Sequence, residues 1–150
     1  MTDLFEKILL LKNSDIFDQV NTDDLRYVAD ALTEEAYLTG DIVFERNDLG
    51  DNMYVIISGE VGISLDHTDS YVTTLGAGEC FGEMNLLDDL PRSASAIVIQ
   101  DTSVLKLSQA KLRGLLVSYP ELGLGMLKAM SLKLRHTTTL VENNNKTNDK

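Results

Sequence analysis

The chain has 150 residues, 43% of them apolar and 25% charged, which fits one globular domain with a core large enough to fold alone. Thirteen Lys and Arg against 24 Asp and Glu give a formal charge of -11, a field that repels phosphate backbones and anionic membranes, so direct contact with nucleic acid is not expected. The single cysteine, Cys80, excludes an internal disulfide, and with only His67 and His136 beside it no metal-ligand cluster can be assembled.

The N-terminal stretch MTDLFEKILLLKNSD carries only ILLL between charges, too short for a signal-peptide core or a membrane span. A cytoplasmic location without direct membrane insertion is expected. Residues 3–33 read as two short helices: Leu4, Ile8 and Leu11 share one face, and NTDDLRYVADAL opens with Asn or Thr at the cap and acids in the first turn.

From residue 35 to 108 the texture changes to short β-branched or aromatic runs, AYL, DIVFE, MYVIIS, VGISL, YVTTL, SAIVI and SVLKL, punctuated by Gly and Asp. Regular spacing of this kind predicts a β-sandwich or barrel, foremost a jelly roll. The expected fold class is mainly β with flanking helices, an eight-stranded β-jelly-roll barrel. Gly40, Gly50, Gly59, Gly76 and Gly78 fall between the runs and read as turn glycines without a ligand role. The helical period returns after Ser108: LSQAKLRGLLVSY is ended by Pro120, and a second helix is expected over 121–141. The expected organisation is one domain over 1–141, with N-terminal helices at 1–34, the barrel at 35–108 and C-terminal helices at 109–141. The polar tail 142–150 is expected to be frayed.

The segment GECFGEMNLLDDLPRSASA, residues 78–96, carries the chemistry. Phe81-Gly82-Glu83 followed by Met84-Asn85-Leu86-Leu87 reads as a strand ending in glycine and then a single helical turn, whose free N–H groups suit an anion. Pro91 forces Leu90 to be extended and restarts the chain as a strand, which aims Arg92 at the same place. A guanidinium can meet two phosphate oxygens at once. Glu83, an acceptor-only carboxylate nine positions earlier, can instead take a hydrogen bond from a sugar hydroxyl. One phosphate charge beside a free 2′-OH describes a 3′,5′-cyclic nucleotide. The plain alternative makes Glu83 a favourable helix N-terminal charge and Arg92 its salt-bridge partner. Cys80, next to Phe81, reads as a small apolar core residue.

These residues resemble those of the cyclic nucleotide-binding domain family, which includes the bacterial catabolite activator protein, protein kinase A regulatory subunits and cyclic nucleotide-gated channels. LKNSDIFDQVNTDDLRYVADAL is similar to the family's N-terminal helical segment, and GDIVFERNDLGDNMYVIISGEVGIS to its first strands with two Gly-Asp corners. FGEMNLLDDLPRSASA resembles the phosphate-binding cassette. The resemblance implies a ligand-binding set of Gly82, Glu83, Met84, Asn85, Arg92 and Ser93. In it Glu83 takes the ribose 2′-OH, Arg92 takes the cyclic phosphate, and the backbone N–H groups of Gly82, Asn85 and Ser93 complete the cradle. The ligand it implies is cAMP before cGMP, with no metal; base choice stays open, since the Ser93 hydroxyl also suits cGMP.

On the last helix Leu127, Met130, Leu134, Thr137 and Val141 follow intervals of three and four, a heptad seam with one polar position. The helix either pairs with its own copy, giving a homodimer, or packs on the barrel or is left exposed. The resemblance implies a hinge or lid role for the C-terminal helices and places Thr137 and Thr138 against the base. The leading expectation is a regulatory sensor module, not an enzyme, free-standing or part of a larger protein. The alternative is a domain of the same fold acting as a structural or interaction module without nucleotide.

Overall fold

The computed structural model describes residues 2–66 and 70–148, with side chains described as far as residue 143. His67, one of the two histidines, and the last two tail residues lie outside the described residues.

Helices α1 (Leu4–Lys12) and α2 (Thr22–Ala31) open the chain. Each starts at a side-chain cap: Asp3 accepts from the Glu6 N–H and Asn21 from the Asp24 N–H, both at 2.8 Å. Leu11, Leu25 and Val28 are fully buried, so both helices are held by an apolar face and not by propensity alone. Leu4, grouped with Leu11 by spacing, stays 39% exposed.

The sheet consists of β1 (Thr33–Tyr37), β2 (Ile42–Phe44), β3 (Asn52–Ser64), β4 (Thr73–Leu75), β5 (Cys80–Phe81) and β6 (Ser95–Ser108). All pairings are antiparallel: the order runs β1-β6-β3-β4, with β2 on β6 and β5 on β3. The mainly β fold with flanking helices stands, but the eight-stranded closed barrel is corrected to an open six-stranded sheet among the described residues. MYVIIS and VGISL, which read as two strands separated by a turn, are one 13-residue strand, and SAIVI and SVLKL are one 14-residue strand.

Gly59 makes that continuity possible. It sits in β3 at φ 105°, where the register against β6 shifts between Ile56 and Val61. The freed Glu60 N–H donates to Thr102 Oγ1 at 3.1 Å, and the Thr102 hydroxyl donates to the Gln100 carbonyl at 2.7 Å. Gly59 is thus a bulge and not a turn. A Cβ there would lie 2.3 Å from Thr102 Oγ1 and 2.5 Å from the Asp101 carbonyl oxygen. Gly59→Ala is therefore expected to destabilise the fold by at least about 1–3 kcal/mol, since strain adds to the clash. Thermal unfolding checks this, and an unchanged melting temperature would contradict the bulge assignment.

Alternation along β3 sorts the core. Met53 and Val55 join Leu11, Phe17, Leu105, Leu112 and Leu122 beneath the helices. Tyr54 and Ile56 face the other way, with Phe81, Ala96 and Val104. Helices therefore cover one face, and the opposite face carries an aromatic cluster at one end.

Ser108 caps α3 (Gln109–Ser118) by accepting from the Lys111 N–H at 3.2 Å. Then α4 begins at Pro120, a favoured first helical residue, and runs to Asn148. The expected end at Val141 is corrected, because no Gly or Pro follows it to stop the helix. Leu122, Met126 and Ala129 are buried, whereas every described side chain from Met130 to Asn143 is exposed. No helix among the described residues is long and apolar enough to cross a membrane.

Candidate functional site

At the aromatic end of the sheet, β5 runs out at Phe81 and the chain turns at Gly82, φ 76°, into a single 3-10 turn, Glu83–Leu86. This is the strand, glycine and turn expected from the sequence. A cleft of about 220 Å³ opens beside it, lined by Phe44, Phe81, Glu83, Met84, Arg92 and Ser93 among others. Gly82 is required by more than its φ: a Cβ there would stand 2.7 Å from Arg92 Nη1 and 3.0 Å from the Asn52 carbonyl oxygen.

Arg92 is only 4% exposed. The chain around it is not yet strand, since β6 starts at Ser95. It is fixed by two backbone bonds to the loop after β2, with the Arg92 N–H donating to the Asp48 carbonyl at 2.7 Å and the Asn47 N–H donating to the Arg92 carbonyl at 2.8 Å. The guanidinium donates from Nη1 to the Gly82 carbonyl at 3.2 Å and to Asn85 Oδ1 at 3.0 Å, and from Nη2 to the Asn52 carbonyl at 2.9 Å. Its Cζ stands 4.0 Å above the Phe44 ring centroid, a cation–π contact. Nε has no hydrogen-bond partner among the described residues.

What the guanidinium lacks is an opposite charge. Among the described residues no carboxylate comes within ion-pair distance of it. Burial pushes its pKa down from the ordinary value, with Tyr54, Asp51 and Asp48 pulling weakly the other way, yet an arginine so placed stays protonated. A buried cation held by neutral acceptors is an attractive wall for an anion.

Glu83 is not the salt-bridge partner of Arg92. Its Oε1 lies 3.9 Å from Lys133 Nζ on α4, and Lys133 also lies 3.8 Å from Asp15. The Glu83 side chain is about a quarter exposed, and two of the hollows that it lines adjoin at Glu83 and Met84. One is the Arg92 cleft; the other, of about 620 Å³, is walled by Leu87, Leu127, Met130, Leu134 and Thr137.

The expected residues therefore divide. Gly82, Glu83, Met84, Asn85, Arg92 and Ser93 gather around one cleft. Asn85 enters by its side chain, because its backbone N–H closes the turn on the Gly82 carbonyl at 3.3 Å. Thr137 belongs to the second hollow, and Thr138 lines neither. Both hydroxyls donate one turn back along α4, to the Lys133 carbonyl at 3.1 Å and the Leu134 carbonyl at 3.0 Å. Cys80 is buried enough for its thiol to be pushed up to about 12, with the Glu83 and Asp15 charges adding to the effect, so it carries no thiolate at neutral pH. Sequence reasoning missed Phe44, Gly50, the Asn52 carbonyl and Gln109. Gly50, read as a turn glycine, is packed so closely that a Cβ on it would lie 2.3 Å from Arg92 Nε.

The chain matches the family described as Cyclic nucleotide-binding domain over residues 34–119. A CRP-like cAMP-activated global transcriptional regulator from Mycobacterium tuberculosis is 29% identical over 131 residues, 85% of this chain and 58% of that protein. The chain thus spans less than two thirds of that relative. Among solved structures, the N-terminal domain of a transcriptional regulator from Streptomyces coelicolor A3(2) superposes with a TM-score of 0.78 at 25% identity, covering 85% of this chain and 94% of that one. The regulatory domain of Toxoplasma gondii PKA, solved with cAMP, gives a TM-score of 0.69 at 25% identity over 77% of this chain and 46% of that one. The family match begins in β1, ends just after α3 and encloses the whole cleft, and on that footing the chain belongs to the cyclic nucleotide-binding domain family.

Proposed function

We propose that the cleft binds a 3′,5′-cyclic nucleotide, cAMP before cGMP, and that the chain is a cytoplasmic regulatory sensor that catalyses no reaction. The observation that carries this reading is Arg92: a guanidinium 4% exposed at a cleft wall, with no carboxylate paired to it among the described residues. A cyclic phosphate supplies the missing charge in a site where desolvation strengthens the attraction. The Gly82 and Ser93 backbone N–H groups and the Ser93 hydroxyl complete the cradle.

Glu83 takes the ribose 2′-OH and exchanges the loose approach of Lys133, 3.9 Å away, for a hydrogen bond inside the closed site. Because the cleft and the second hollow adjoin at Glu83 and Met84, a base leaving the cleft meets α4 at Thr137, with Thr138 next to it on the helix. Occupancy is transmitted when α4 closes on the base and the population shifts between two arrangements. The exposed stretch of α4 pairs with its copy, so the sensor is a homodimer without direct nucleic-acid contact.

The sugar contact gives the test. Calorimetry is expected to show 2′-deoxy-cAMP binding about tenfold or more weakly than cAMP, since a carboxylate left unpaired in a closed site costs about 1–3 kcal/mol. Glu83→Ala is expected to blunt that preference. Equal binding of the two ligands by the unaltered protein would remove Glu83 from this role.

A further inference from the structure

Asn85 is 5% exposed and is held at both ends of its amide. Nδ2 donates to the Leu90 carbonyl at 2.7 Å, which turns Oδ1 toward Arg92 Nη1, 3.0 Å away. Its backbone is held as well: the N–H closes the turn on Gly82, and the carbonyl accepts from Gln109 Nε2 at 3.1 Å. Gln109, the first residue of α3, also donates to the Asp88 carbonyl at 3.2 Å and Asp89 Oδ1 at 3.3 Å. The amide cannot swing away without breaking two hydrogen bonds, of which the one to Arg92 is buried.

The residue type matters at this position. A carboxylate would pair with the guanidinium and cancel the charge that an anion needs. An apolar side chain would leave a buried N–H of Nη1 without an acceptor. A neutral acceptor of this length does neither.

We propose that Asn85 is the positioning residue for Arg92: a neutral clamp that fixes the guanidinium at the cleft wall and leaves its charge for the ligand. Gln109 holds the clamp from outside by tying the turn to α3. The proposal rests on the reading of Arg92 as phosphate anchor.

The test is a cycle of Asn85→Ala, Arg92→Lys and the double variant, titrated with cAMP and with 2′-deoxy-cAMP. Asn85→Ala is expected to weaken both ligands about tenfold and leave their ratio unchanged, because the defect lies at the phosphate and not at the sugar. In the Arg92→Lys background, which lacks the fork, the same change is expected to alter affinity by less than about twofold. Should Asn85→Ala not fold, Gln109→Ala carries the same cycle with a smaller expected loss of about threefold. Additive losses, or a collapse of the ribo-to-deoxy ratio, would mean that Asn85 merely props up the turn, and would overturn the proposal. An Arg92→Lys single variant that binds cAMP like the unaltered protein brings down the phosphate reading and this proposal together, and that arm alone reveals it.

Discussion

Arg92→Ala is expected to lose about 2–5 kcal/mol of cAMP affinity, the usual consequence of truncating one partner of a buried charge-assisted pair. The protein is expected to stay folded. Truncation forfeits three hydrogen bonds to the Gly82 and Asn52 carbonyls and Asn85 Oδ1 and the contact with the Phe44 ring. It also removes a buried cation whose desolvation no carboxylate among the described residues offsets, and the two effects oppose each other. Affinity and stability should therefore part company. Titration and thermal unfolding on the same sample check this, and near-original affinity in a folded variant would sink the pocket assignment.

Leu134→Lys is expected to turn dimers into monomers. Leu127, Leu134 and Val141 are 62%, 67% and 53% exposed on a helix that buries no described side chain beyond Ala129. A bare helix of that length is marginal in water, and an apolar stripe at heptad spacing is what a partner copy would cover. Around a twofold axis one lysine becomes two, so like charges meet across the seam. The fold of each chain should be untouched, because Leu134 is exposed there. Binding of cAMP should weaken only modestly, since Glu83 and Arg92 come from one chain. Sedimentation decides: an unaltered protein that stays monomeric at high concentration, with and without cAMP, rules out the seam.

Much of this site was legible because the turn chemistry is local. Phe81, Gly82 and Glu83 announce a strand end, a glycine and a turn, and the chain builds all three. The cap of α2 was likewise legible as Asn or Thr and proves to be Asn21, whereas the Ser108 cap of α3 became visible only in the structure. Strand count was not legible in the same way, because Ser58-Gly59-Glu60 has the composition of a hairpin turn, and only the Thr102 hydroxyl from β6 makes it a bulge. Long-range contact also explains what was missed at Arg92. Phe44, Gly50 and Asn52 stand 48, 42 and 40 positions before it, and the Gly-Asp corner that marks Gly50 as a turn says nothing of its contact with Arg92. Asn85 was identified through its backbone, the role common to the resemblance, whereas its buried amide became visible only with Leu90 and Arg92 in place. The heptad stripe told which face of α4 is apolar, but not whether the sheet or a second chain covers it.

The central claim, that this cleft takes a cyclic nucleotide on the Arg92 charge, is tested most directly by calorimetric titration of the unaltered protein with cAMP and with cGMP. Saturable binding of one cAMP per chain is expected, tighter than cGMP, with stabilisation of about 2.7 kcal/mol once free ligand reaches a hundred times the dissociation constant. Absence of binding heat and of any thermal stabilisation with either nucleotide would contradict it.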